Sequence, residues 1–109
     1  MKQEMVKLDP VTIEILSNGL QSLVDEAFVA LMKSAYSTNI KERHDHSCAI
    51  VDRAGRLVAQ ASNSIPVHIA SVLGQMRAIF KKFPLDEISE GDIFAANDPH
   101  EGGGTHRPD

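Results

Sequence analysis

The residues best suited to chemistry stand together in one segment, Asn97-Asp98-Pro99-His100-Glu101-Gly102-Gly103-Gly104-Thr105-His106-Arg107-Pro108-Asp109. Gly102, Gly103 and Gly104 lack a Cβ, so their backbone can approach a ligand closely and take conformations that other residues avoid. Thr105 adds a hydroxyl at the end of that run. His106 and Asp109 follow, three residues apart. A neutral imidazole and a carboxylate at this spacing can reach one divalent cation, and the pair suits zinc, manganese or iron alike. Alone, a His-x-x-Asp pair is a weak motif, met more often in a surface turn. Asp98 suits an Asx turn that fixes the loop. A metal site needs three or four protein ligands. The remainder must come from upstream, from residues outside this sequence, or from another subunit.

The elements that must position this loop are legible from periodicity. Asp9-Pro10 reads as an N-cap followed by proline at the first helical position. Ile13, Leu16, Leu20, Leu23, Ala27, Leu31 and Ser34 then recur at steps of three and four, which predicts a long amphipathic helix over 10–35 with that stripe as its core face. Residues 37–45 are polar and read as irregular. Residues 47–51 and 56–61 read as two strands, joined by a turn at Asp52-Arg53-Ala54-Gly55 with its glycine late. A second helix is expected over 68–83, with Ile69, Val72, Leu73, Met76, Ile79, Phe80 and Phe83 as its stripe and Pro84 as its stop. Ile93-Phe94-Ala95-Ala96 reads as a short strand leading into the glycine loop. Helix, hairpin, helix and strand make an α+β fold.

Composition excludes several classes. The chain has 109 residues, room for at most one small domain. A net charge of −4 argues against nucleic acid or an anionic membrane as the main partner. No apolar run approaches a membrane span, and the first residues lack the apolar stretch of a signal peptide. The single cysteine, Cys48, has no internal partner for a disulfide, so a cytoplasmic location is the expectation. Its apolar neighbours favour an inert packed thiol. No Walker-type phosphate loop is present.

Four blocks, in order, carry a resemblance that covers nearly the whole chain. They are Asp9-Pro10-Val11-Thr12-Ile13-Glu14-Ile15, then Ala35-Tyr36-Ser37 with Ile40-Lys41-Glu42-Arg43, Asp45 and Ser47-Cys48-Ala49. Next come Gly55-Arg56-Leu57-Val58-Ala59-Gln60-Ala61 with Ile65-Pro66-Val67-His68, and finally the Asn-Asp-Pro and Gly-Gly-Thr-His-x-x-Asp loop. Together they resemble the hydantoinase B/oxoprolinase family, which includes the B-type components of N-methylhydantoinases, 5-oxoprolinases and the α-type subunits of acetone and acetophenone carboxylases. Full-length members are several times longer, so residues 1–109 resemble an N-terminal fragment of that domain.

The resemblance implies more than the residues alone do. His106 and Asp109 match metal-ligand positions, Asp45 matches an aspartate expected on the same metal, and a further histidine ligand is expected downstream. His68 becomes a candidate for substrate contact or for supporting a ligand, and His68 and Asp98 are the candidates for a direct part in the reaction. Lys41, Glu42 and Arg43 orient Asp45, contact a phosphorylated intermediate, or form a plain charged turn. The implied activity is the B-type part of a metal-dependent, ATP-coupled hydrolase of small cyclic amides. Its partner is a hydantoinase A-type subunit that holds the ATP, so a hetero-oligomer is implied. The alternatives are a fragment of an ATP-dependent ketone carboxylase and a non-catalytic remnant that only pairs with another subunit. The chain departs from the family pattern at His46 and His100, where aromatic residues are usual, and at Arg107, where an apolar residue is. His44, His46 and His100 are thereby opportunistic ligand candidates.

Overall fold

The structure is a computed structural model and describes residues 7–97. The order of elements is helix α1 (Pro10–Ser34), a single helical turn α2 (Thr38–Lys41), strands β1 (Ala49–Val51) and β2 (Leu57–Gln60), helix α3 (Pro66–Lys82), and a 3-10 turn at Leu85–Glu87. This is the expected α+β arrangement.

Helix α1 starts where the sequence indicates. The Asp9 carboxylate accepts the Thr12 backbone N–H at 2.8 Å and the Thr12 hydroxyl at 3.0 Å, while Pro10 has no N–H to satisfy. Those bonds hold the Asp9 carboxyl below its ordinary range, the Thr12 backbone N–H foremost.

The hairpin also forms as expected, slightly shorter at its ends. Ala49 pairs with Gln60, Ile50 with Ala59 and Val51 with Leu57, so Val58 is the extra residue of a bulge. Asp52 builds the turn. Its carboxylate accepts the backbone N–H groups of Ala54 and Arg56, each at 2.9 Å, and pairs with the Arg56 side chain at 2.8 Å. Gly55 sits at φ +78°, a backbone angle that side chains rarely tolerate.

Three expectations need correction. First, α1 does not bury the stripe of Ile13, Leu16, Leu23 and Leu31, each of which is at least 41% exposed. Val24 and Phe28 are buried instead, at 3% each, with Ala61 of the β2–α3 loop, and Cys48, Ile50 and Ala59 pack against them. The hairpin therefore docks on the ridge of Val24 and Phe28, one residue round from the apolar stripe. Polar residues select that face. Gln21 and Asp25 border the ridge and reach the chain at Gln60 and Ser62. A hydrophobic pattern cannot register a face chosen partly by hydrogen bonds.

Second, residues 93–96 are not a strand. The described sheet has two strands, and this segment pairs with neither. It is held by a ring contact, Phe94 lying 5.1 Å from Phe83. Third, residues 38–41 form a helical turn within the stretch read as irregular.

Phe28 is the residue on which most of this packing converges. Phe28→Ala is expected to cost about 3–5 kcal/mol, a large share of the stability of a chain this size. A urea titration followed by circular dichroism measures it; a loss under ~1 kcal/mol would place the core elsewhere.

Candidate functional site

Asp45 reaches its position through a strained residue. After α2, His44 takes φ +56°, the left-handed region that a helix C-cap commonly uses but usually gives to glycine or asparagine. The His44 N–H bonds the Ile40 carbonyl at 3.2 Å and the Asp45 N–H bonds the Asn39 carbonyl at 2.8 Å. The chain reverses there, and the next side chains point different ways. His46 goes inward. Its ring stacks on Phe28 at 3.9 Å and 18°, and its Nε2–H donates to the Phe28 carbonyl at 3.0 Å. His44 meets the same phenyl ring edge-on at 6.4 Å. Asp45 goes outward and is 46% exposed.

Pro66 starts α3 with its fixed φ, and His68 is the third residue of that helix. Its Nε2–H donates to Asp45 Oδ1 at 2.7 Å. Two candidates from separate sequence blocks, 23 residues apart, thus meet in one charge-assisted contact. The imidazole is 18% exposed, so its apolar body is mostly covered while the carboxylate faces solvent.

The remaining candidates fall elsewhere. Asp98, Gly102, Gly103, Gly104, Thr105, His106 and Asp109, with the opportunistic His100, lie outside the described residues. His46 is packing surface: it is 7% exposed, its Nε2 is committed to Phe28, and its buried Nδ1 has no partner among the described residues. Cys48 is half-buried, and burial pushes its thiol up, which keeps it protonated and unreactive.

Among the described residues no three of histidine, cysteine, aspartate or glutamate gather closely enough to hold a metal ion. The described part offers one donor of the right kind. Asp45 has one oxygen fixed by an imidazole and a solvent-facing carboxylate, a group that suits a divalent cation once other ligands join it.

Sequence reasoning missed a second set of residues. Asp25 accepts the Ser62 backbone N–H at 2.7 Å and the Ser62 hydroxyl at 3.2 Å. The Gln21 side-chain amide donates to the Gln60 carbonyl at 2.9 Å. The Ser64 hydroxyl lies within 3.3 Å of the Cys48 N–H and 3.4 Å of its carbonyl. These bonds hold the loop before α3 to both α1 and β1. The Ser62 N–H, chiefly, keeps the Asp25 carboxyl below its ordinary range. The available signal was the polar i, i+4 pair of Gln21 and Asp25 flanking the apolar ridge of Val24 and Phe28.

The fold and the site together define an α+β segment that presents one carboxylate–imidazole pair, Asp45 with His68. The sequence model of the Hydantoinase B/oxoprolinase family matches residues 9–109, and the chain belongs to that family. It is 38% identical over 104 residues to a protein of Methanocaldococcus jannaschii, covering 94% of this chain and 18% of that one. It is 37% identical over 102 residues to the 5-oxoprolinase of Saccharomyces cerevisiae, covering 94% of this chain and 8% of the enzyme. A Pseudomonas protein, provisionally named as the B component of a D-/L-hydantoinase, is 29% identical over 108 residues, 97% of this chain and 18% of that protein. The chain thus spans less than a fifth of the length of these relatives. No solved structure matches it.

The worth of the Asp45–His68 pair to folding is measurable. An ion pair with an exposed carboxylate contributes ~1 kcal/mol or less. A double-mutant cycle of Asp45→Ala and His68→Ala, read by urea denaturation, is expected to give a coupling within that limit. A coupling of several kcal/mol would make the pair a structural bond rather than a working one.

Proposed function

We propose that this chain forms part of the B-type component of a metal-dependent hydrolase that opens small cyclic amides of the hydantoin or 5-oxoproline kind. Asp45, His106 and Asp109 are the proposed metal ligands, with His68 beside them. The observation that carries the reading is the meeting of Asp45 and His68 at 2.7 Å in a chain of this family. When bound, a divalent ion would polarise the ring carbonyl or acidify a water.

This chain's own residues have narrower tasks. His68 donates through Nε2–H to Asp45 Oδ1, which restrains the carboxylate's orientation. The apolar body of the imidazole is shielded, so the carboxylate is held by a ring of restricted freedom. Asp98 and the glycines Gly102, Gly103 and Gly104 would shape the loop that brings Thr105, His106 and Asp109 to the same place. Their backbone N–H groups are the natural contacts for a polarised carbonyl oxygen.

ATP is proposed to be held by an A-type partner subunit that activates the substrate oxygen. The name of the Pseudomonas relative, as one component of a hydantoinase, supports a shared reaction. Polarising an oxygen would also suit an enolate in a ketone carboxylase, the alternative reading, and product analysis separates the two. A reading as a pairing-only remnant draws on the exposed apolar residues of α1, Ile13, Leu16, Leu23 and Leu31. Among the described residues no helix is long and apolar enough to cross a membrane.

The test is ring opening of hydantoin and 5-oxoproline, with ATP, by the 109-residue chain alone and by a complete two-component enzyme of the family carrying this segment. We expect no turnover from the chain alone. In the complete enzyme, the substitutions Asp45→Ala and His68→Ala are each expected to lower kcat by about 100-fold or more. Unchanged kcat in both variants would remove the pair from the reaction. Turnover by the chain alone would refute its role as one part of a larger site.

A further inference from the structure

We propose that Asp25 is a positioning residue for the Asp45–His68 pair, acting from α1 through its hydrogen bonds to Ser62. This rests on the reading of Asp45 and His68 as the working pair.

Both members of the pair hang from one turn of α1. On one side, Phe28 holds the segment that carries Asp45: its ring stacks on His46 at 3.9 Å and its carbonyl accepts the His46 Nε2–H at 3.0 Å. On the other side, three residues earlier in the helix, Asp25 holds the loop that leads to His68. It takes the Ser62 N–H on Oδ1 at 2.7 Å and the Ser62 hydroxyl on Oδ2 at 3.2 Å. Gln21 supports it from the preceding turn, its amide lying 3.3 Å from both Asp25 oxygens and 2.9 Å from the Gln60 carbonyl.

The loop needs such a hold. Helix α3 starts at Pro66 with no side-chain cap, and Ile69 is its one buried residue. Its Phe80 ring lies close over Gly55 of the hairpin turn, a contact at the far end of the helix from His68. The place of His68 is therefore set mainly at the loop. There Ala61 N–H bonds the Cys48 carbonyl at 2.9 Å, Ser64 brackets Cys48, and Asp25 fixes Ser62 between them. Residues 25 and 28 are neighbours on a rigid helical face. A shift of the Ser62 anchor thus passes to the ring of His68 while Asp45, held by Phe28, stays in place. Loss of the contact between Asp45 and His68 is the consequence.

The measurement is histidine side-chain NMR on the full, metal-free chain, with the exchange rate of each Nε2 proton as the readout. Two histidines report independently. The His46 Nε2–H reports an intact core, and the His68 Nε2–H reports the pair. In Asp25→Ala we expect the His68 proton to exchange at least about tenfold faster, the loss of one hydrogen bond to a charged group, with His46 unchanged. Asp25→Asn keeps an oxygen for the Ser62 N–H and is expected to restore slow exchange at His68. If Asp25→Ala also loses the His46 signal, Ser62→Pro, which removes the N–H that Asp25 accepts together with the hydroxyl, is read instead for the same selective change. Slow His68 exchange alongside an intact His46 signal in the alanine or proline variant overturns the proposal. So does a parent spectrum with no slow His68 proton. Neither metal nor turnover enters this readout, so a failure of the hydrolase assignment would be seen separately, in the activity assay.

Discussion

The stacking of Phe28 on His46 is the contact on which the rest of the described structure depends. It joins the longest helix to the turn that precedes the hairpin, and it does so with two bonds of different kinds: ring against ring, and imidazole N–H to backbone carbonyl. With His46 drawn inward after the left-handed turn at His44, Asp45 is left on the exposed side and meets His68. The strained angle at His44 is offset by the same contact, because the ring of His44 also rests against Phe28. A small core of Val24, Phe28 and Ala61 is enough to organise the chain here because hydrogen bonds from Gln21 and Asp25 lock the loop over it.

Much of this architecture could be read from residue types. Asp9-Pro10 opened α1, Gly55 and Asp52 made the hairpin turn, and Pro84 stopped α3, because each of these effects is local; α3 itself opens at Pro66, two residues before the expected start. The face of α1 that packs was not legible. Apolar residues encircle much of that helix, and the choice of Val24 and Phe28 over Leu23 and Leu31 is made by partners far along the chain. His46 looked like a spare ligand because polarity was visible in the sequence and burial was not. The strand expected at 93–96 failed because a strand needs a neighbour to pair with, and Phe94 found a ring instead. The candidate site was half legible. Asp45 and His68 could be named from their blocks, but not their contact, which depends on how two loops are hung from α1.

The family assignment and the geometry bear on different halves of the functional question. Family membership over residues 9–109 supports the proposed class of chemistry, and the contact of Asp45 with His68 is the place proposed for it in this chain. The chain spans less than a fifth of the length of the relatives described here, and the row of Ile13, Leu16, Leu23 and Leu31 is exposed. Both facts agree with a site completed by further polypeptide, as a cation that requires three or four ligands demands. The exposure of Asp45, 46% with one oxygen taken by the His68 imidazole, agrees with the same proposal.

The measurement that tests the central claim most directly is metal content by mass spectrometry on a complete two-component enzyme carrying this segment, compared with its Asp45→Ala and His106→Ala variants. The account predicts about one zinc, manganese or iron per site in the parent and loss of it in both variants, since removing a ligand from a small set weakens binding steeply. Full metal retention in Asp45→Ala would contradict it, and would reduce the contact between Asp45 and His68 to a surface ion pair.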